Sequence, residues 1–180
     1  MKVKLRKITL SDTANIVRWR NSDDVRKNLF TQDNLTEEQH INWFHSKIES
    51  GSCAQYIIEV EDEFGYHDIG TTFIKGIDNK KKEGEFGIFI GEPTFRGKGL
   101  STSATCQMLR IGFEKLNLKS IFLEVFESNI PAICAYKKAG FKMKEKYMKS
   151  DKSIINMEIL KERWNNNITD ENSISCNVHL

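Results

Sequence analysis

The stretch Arg96-Gly97-Lys98-Gly99-Leu100-Ser101 decides how this chain of 180 residues is read. It follows the β-rich run Glu85-Phe86-Gly87-Ile88-Phe89-Ile90 and opens a helical pattern. In that pattern Leu100, Ala104, Met108 and Ile111 share one stripe, and Cys106, Leu109, Phe113 and Leu116 share its neighbour. A short strand-to-helix loop with two glycines lets a ligand approach the backbone, and N–H groups at the positive end of a helix suit phosphate. Two familiar phosphate loops do not fit. The dinucleotide fingerprint needs a third glycine where Thr102 stands. The nucleoside-triphosphatase loop needs four residues between its glycines, whereas five separate Gly91 from Gly97, and Gly99 replaces the hydroxyl residue that ligates magnesium. Taken alone, the stretch is equally an ordinary glycine-rich turn.

Upstream, Val3, Leu5 and Ile8 alternate with Lys and Arg as a strand, and Ser11 offers an N-cap to a helix through Ile16, Val17 and Trp19. A short helix through Val25 to Phe30 is expected next. Thr36 and Gln39 then form a capping box ahead of Ile41, Phe44 and Ile48, and Gly51 ends that helix. Tyr56 to Val60, Ile69 to Ile74 and Glu85 to Ile90 are short β-rich runs separated by turn residues, which predicts an antiparallel meander. Downstream, Ile121 to Phe126 reads as a strand and Ile130 to Ala139 as a helix closed by Gly140. Phe141 to Tyr147 with Ile154 to Leu160 reads as a hairpin. The order is β-α-α-β-β-β-α-β-α-β-β, a single domain over 1–164 followed by a polar C-terminal extension over 165–180, in which Ile174 to Leu180 offers a further edge strand.

The second informative segment is Asn129-Ile130-Pro131-Ala132-Ile133-Cys134-Ala135-Tyr136-Lys137-Lys138-Ala139-Gly140-Phe141. Together with the glycine loop it resembles the signature pair of the GNAT superfamily of N-acetyltransferases. There, Arg/Gln-x-x-Gly-x-Gly/Ala opens the central helix and Asn-x-x-Ala-x-x-x-Tyr-x-Lys-x-Gly-Phe follows the fifth strand. Ser101 departs from the usual final Gly or Ala but is small enough to admit phosphate. The opening half, Ile16-Val17-Arg18-Trp19-Arg20-Asn21, Val25-Arg26-Lys27-Asn28 and His40-Ile41-Asn42-Trp43-Phe44, resembles the branch of ribosomal-protein alanine, spermidine and pseudaminic-acid-pathway amino-sugar acetyltransferases. The resemblance implies an α+β fold in α/β/α layers: a central mixed, mostly antiparallel sheet of six to seven strands flanked by about four helices.

It also implies acetyl-CoA as co-substrate and direct attack of an amine on the thioester, which needs a free amine, a stabilised oxyanion and a protonated leaving thiolate. The resemblance places Tyr136 at the sulfur as acid or hydrogen-bond donor; a helix-face aromatic packing into the core is the alternative. Glu85 is the candidate base, with Glu83, Glu59 or a water chain as substitutes. The backbone of Ile88, Phe89 and Ile90 would pair with the pantetheine amides, and Arg96, Gly97, Lys98, Gly99, Leu100 and Ser101 would grip the pyrophosphate. Asn129 would bond the cofactor arm or act as a plain N-cap.

For the acceptor, Trp19, Arg20, Asn21, Arg26 and Trp43 combine stacking surface with anion contacts, although both tryptophans also suit the core of amphipathic helices. An amino-sugar nucleotide ranks first, a protein N-terminal amine second and a polyamine or antibiotic third; a non-catalytic acyl-CoA-binding module is the reading from a different class. A homodimer is compatible with the resemblance.

Charge and cysteine usage narrow the partners. With 27 basic and 25 acidic residues there is no broad basic field for nucleic acid, and Asn79-Lys80-Lys81-Lys82 reads as a solvated turn. No apolar run approaches a membrane span, and the start of the chain has no apolar leader core, so a cytoplasmic location without membrane contact is expected. The four cysteines show no C-x-x-C pair and are expected as reduced thiols, and His40 and His45 are five apart, so no metal site is indicated.

Overall fold

In a computed structural model the chain is described over residues 1–164. The expected extra strand at Ile174 to Leu180 lies outside the described residues. The elements are β1 (Lys2–Lys7), α1 (Thr13–Asn21), the single turn α2 (Asp23–Arg26), α3 (Glu37–Trp43), β2 (Cys53–Asp62), β3 (Gly65–Asp78), β4 (Glu83–Ile90), α4 (Leu100–Arg110), β5 (Ser120–Phe126), α5 (Ile130–Lys138), β6 (Lys142–Lys149) and β7 (Lys152–Leu160). The strands form one seven-stranded sheet in the order β1-β2-β3-β4-β5-β7-β6. All pairings are antiparallel except β4 with β5. This is a GNAT-type layered α+β fold.

Alternation along the strands sends side chains to two helical layers. Ile74, Phe86, Ile121, Leu123, Met157 and Ile159 pack against Met108, Leu109 and Phe113 from α4 and its π-helical extension, and against Ile133 and Tyr136 of α5. On the other face, Ile8, Ile16, Trp19 and Ile57 form a smaller core, covered by Trp43, Phe44 and Ile48. A Cβ at Gly91 would fall 2.1 Å from Trp19, so glycine there is what admits the indole against the end of β4. β6 is an edge strand, and Lys142, Lys144, Lys146 and Lys149 along it discourage pairing with another chain.

The caps follow the sequence in one case and correct it in another. Thr36 and Gln39 make the expected reciprocal box, Gln39 N–H to Thr36 Oγ1 at 3.2 Å and Thr36 N–H to Gln39 Oε1 at 2.9 Å. Ser11 does not cap α1. A 3₁₀ turn over Leu10–Asp12 precedes the helix, and the Asp12 carboxylate accepts the Thr9 N–H at 2.7 Å. The reason is Arg6, whose guanidinium bonds both oxygens of Asp12 at 3.0 Å and places a stronger acceptor there than a hydroxyl. Burial opposes the charge on Asp12, but Arg6 and the Thr9 amide and hydroxyl more than offset it and hold the pKa below its usual value.

The parallel pair positions the site. β4 and β5 share only Glu83↔Ser120, Gly84↔Ile121 and Glu85↔Phe122. Beyond these, β4 stays paired with β3 as far as Ile90, and β5 stays paired with β7 as far as Phe126. Each strand follows its outer partner, so the sheet opens as a V between Phe86–Ile90 and Leu123–Phe126. Cys53 and Cys134 are free thiols, as expected, whereas Cys106 is disulfide-bonded. Among the described residues no helix is long and apolar enough to cross a membrane.

Candidate active site

The glycine loop joins the open side of the V to α4. Gly97 and Gly99 have φ of 73° and 76°, the left-handed region that costs other L-residues about 1–2 kcal/mol, and a Cβ at either would meet nothing within 4 Å. The first backbone bonds of the helix run from the Thr102 and Ser103 N–H groups to the Gly99 carbonyl. The N–H groups of Gly97, Lys98, Gly99, Leu100 and Ser101 donate to no acceptor among the described residues. Consecutive free donors beside open space at a helix N-terminus form an anion nest, and they fit a pyrophosphate. Leu100 is buried against Val3, Ile58 and Ala104, which anchors this end of the helix.

Arg96 is placed differently from its expected role. Its Nε donates to the Ile90 carbonyl at 3.0 Å and its two terminal nitrogens donate to the Gly91 carbonyl at 3.1 Å and to Asp24 at 2.8 Å. Its backbone N–H is bonded to the Pro93 carbonyl. The side chain therefore ties the end of β4 to α2, and the donors facing open space are the backbone N–H groups of residues 97–101. Lys98 keeps its ammonium 5.3 Å from the Phe95 ring centre, close to the nest.

β4 beyond Glu85 has no strand beside it on the β5 side, so the backbone of residues 86–89 presents a free edge there, suited to amide-bearing pantetheine, while the Ile90 carbonyl is already held by Arg96. Ile88 and Ile90 turn their side chains toward the α4 layer and Phe89 toward the α1 layer.

Tyr136 is held by the end of α5. The Phe141 N–H bonds the Tyr136 carbonyl at 3.0 Å and the Gly140 N–H bonds the Lys137 carbonyl at 3.1 Å, a Schellman motif with Gly140 at φ 101°. The Phe141 ring lies 6.0 Å from that of Tyr136, and Phe86 from β4 lies 5.9 Å away. Thus the spacing of Tyr136, Gly140 and Phe141 is a helix-stop that locks the phenol. The residue is 8% exposed, and its hydroxyl has no hydrogen-bond partner among the described residues. Burial pushes the phenol up to about 12. Asn129 caps α5, its side chain accepting the Ala132 N–H at 3.4 Å.

Glu85 is the last β4 residue paired with β5, at the apex of the V. It shares its sheet face with Phe122 and Phe89, the side opposite Tyr136. Lys75, its neighbour on β3, holds one carboxylate oxygen at 3.0 Å. Glu59 is engaged by Arg6 and Glu83 by Lys81. Glu124 was not among the sequence candidates. It lies on the Glu85 face of β5 within the splayed region, and its signal is a single acidic residue inside the apolar run Ile121 to Phe126.

The expected acceptor residues each have partners within the fold. Trp19, 1% exposed, is a core residue whose indole N–H donates to Glu92 at 2.6 Å, so it offers no stacking face; the core reading of this tryptophan is the right one. Trp43 is half-buried over the same core, stacked on His40. Arg20 donates to the Thr31 carbonyl, and Asn21 clamps the Leu35 backbone through both its amide groups at 2.8 Å. Arg26 bonds Asp23 and Asn34, each at 2.7 Å. These side chains brace the connection between α2 and α3. His40 pairs with Thr13 and His45 with Glu49, and no metal-holding group occurs among the described residues.

A splayed parallel pair, a free strand edge and an anion nest on the intervening helix define a coenzyme A-dependent acyltransferase. The chain belongs to the acetyltransferase (GNAT) domain family, whose model matches residues 2–142, and it is an acetyl-CoA-dependent N-acetyltransferase. It is 27% identical over 146 residues to the spermidine N(1)-acetyltransferase of Escherichia coli, covering 81% of this chain and 76% of that one. The crystal structure of the Vibrio cholerae spermidine N-acetyltransferase in complex with CoA and spermine superposes with a TM-score of 0.81. It has 21% identity and covers 91% of this chain and 98% of the other. A shorter similarity, 38% identity over 58 residues, links 32% of the chain to 28% of human alpha/beta-tubulin-N-acetyltransferase 9.

Proposed function

We propose that this enzyme acetylates a primary amine of a small polycation of the polyamine class, by direct attack of the neutral amine on the acetyl thioester in the V. The observation that carries the reading is the placement of Glu85 and Tyr136 on opposite faces of the sheet at the same opening. An amine entering from the Glu85 side and a sulfur departing toward Tyr136 then lie on opposite sides of one carbonyl. The sequence similarity to a spermidine acetyltransferase favours a polyamine over the amino-sugar nucleotide ranked first on sequence grounds. Burial of Trp19 takes away one of the two tryptophans on which the nucleotide ranking rested.

The residues divide the work by charge. Residues 97–101 hold the pyrophosphate through backbone N–H groups, and the free edge of β4 aligns the pantetheine amides. A polyamine nitrogen with a pKa of about 10.4 costs roughly 4–5 kcal/mol to deprotonate at pH 7, and Glu85 is the group placed to receive that proton. Tyr136 at about 12 is a far weaker acid than a thiol near 8.5, so full transfer to sulfur would be uphill by roughly 5 kcal/mol. Tyr136 therefore stabilises the developing thiolate as a hydrogen-bond donor.

Thiol release from acetyl-CoA is the test, with spermidine, an amino-sugar nucleotide and peptides with free N-termini as acceptors. Fastest release with spermidine is the expected result, and release only with another acceptor overturns the assignment. Thermal stabilisation by CoA without amine-dependent release would identify a binding module instead.

A further inference from the structure

Glu124 occupies a position that the reading above leaves unused. It lies two residues beyond Phe122, the last β5 residue paired with β4, and shares the face of Phe122 and Glu85. Two residues of strand span about 7 Å, comparable to the reach between the nitrogens of a short diamine unit. The Tyr147 hydroxyl of β6 reaches across β7 to donate to the Glu124 carboxylate. Asn156 of β7 stands between Glu124 and Glu145 in the register, and its buried side-chain carbonyl oxygen has no partner among the described residues.

This face is rich in acceptors. Of the nearby cations, Lys75 pairs with Glu85, Lys144 pairs with Glu158 and Lys149 lies over the ring of Phe30. Phe30 in turn packs on Phe126, one step past Glu124 on the same face, with ring centres 4.7 Å apart. The hydrogen bond to Glu124, with burial and the nearby charges of Glu124, Glu145 and Glu85, pushes the Tyr147 phenol up to about 12, so it remains a donor at neutral pH.

We propose that Glu124 is the acceptor-specificity residue of this enzyme, its carboxylate oriented by Tyr147 to bind the ammonium next to the nitrogen being acetylated. This rests on the amine reading above and goes beyond it: Glu85 serves the reacting nitrogen, and Glu124 serves the second one. Selectivity for a diamine unit over a monoamine then arises from a charge-assisted contact that the monoamine cannot make.

The experiment compares kcat/KM for spermidine and for butylamine in the wild type, Glu124→Gln, Glu124→Asp and Tyr147→Phe, with the KM for acetyl-CoA and the melting temperature as controls. Loss of the contact should lower the spermidine-to-butylamine ratio about 10- to 100-fold in Glu124→Gln, mainly through the amine KM, with acetyl-CoA binding unchanged. Glu124→Asp should recover part of the ratio, and Tyr147→Phe should lose part of it. A wild-type preference for spermidine that survives in Glu124→Gln overturns this proposal and leaves the polyamine reading standing. A wild type that prefers neither amine overturns both.

Discussion

Replacing Tyr136 by Phe separates a catalytic phenol from a core aromatic. The ring is packed between Phe86 and Phe141, and phenylalanine preserves those contacts. The hydroxyl bonds nothing among the described residues, so its removal sacrifices no hydrogen bond and relieves some desolvation. Stability should match or exceed that of the wild type by up to about 1 kcal/mol, a rise of roughly 2–4 °C in melting temperature for a chain of this length. Catalysis should move the other way. A donor aimed at a developing thiolate is worth about 10²–10³ in kcat, with little change in the KM for acetyl-CoA. The assay is thiol release under saturating amine alongside thermal unfolding of the same preparations. Wild-type turnover in Tyr136→Phe would refute the catalytic role. A melting temperature several degrees lower would refute the claim that the hydroxyl is unbonded in the free enzyme.

Gly97→Ala and Gly99→Ala place a Cβ on backbone at φ near 75°, so each should lose about 1–2 kcal/mol of stability; calorimetric titration with CoA should show weakened affinity as the nest distorts. Thr36→Ala removes one half of the capping box and should cost about 1 kcal/mol, read as a lower urea midpoint with an unchanged slope. Burial lowers the pKa of His40, with Asp12 acting in the opposite direction, so on acidification the unfolded chain takes up this proton before the folded one does. His40 should therefore contribute full stability above about pH 6.5 and progressively less as pH falls below that value, a dependence that urea titrations at several pH values should find absent from His40→Gln.

The left-handed glycine loop at the start of α4 was legible in the sequence because it is local, although the place of the Arg96 side chain was not. An anion nest needs left-handed glycines beside a helix N-terminus, and Gly97, Gly99 and Leu100 supply both within consecutive residues. The lock on Tyr136 is likewise a helix-stop written between Tyr136 and Phe141. The succession of strands and helices along the chain was legible from the alternation and turn residues, whereas the cap of α1 was not, since it depends on Arg6, which arrives from β1. The acceptor half was not legible. Trp19 carries the same residue type whether it stacks on a ligand or fills a core, and only the packing of Gly91 against its indole decides between them. Glu85, Glu124, Asn156 and Tyr147 come from four strands whose adjacency depends on β7 inserting between β5 and β6. By itself the sequence determined the run of elements and, through the pair of motifs at 96–101 and 129–141, the family and its acetyl-CoA donor. The tertiary structure decided which carboxylates share one face of the opening, because that depends on where two parallel strands stop pairing and which strands lie beside them.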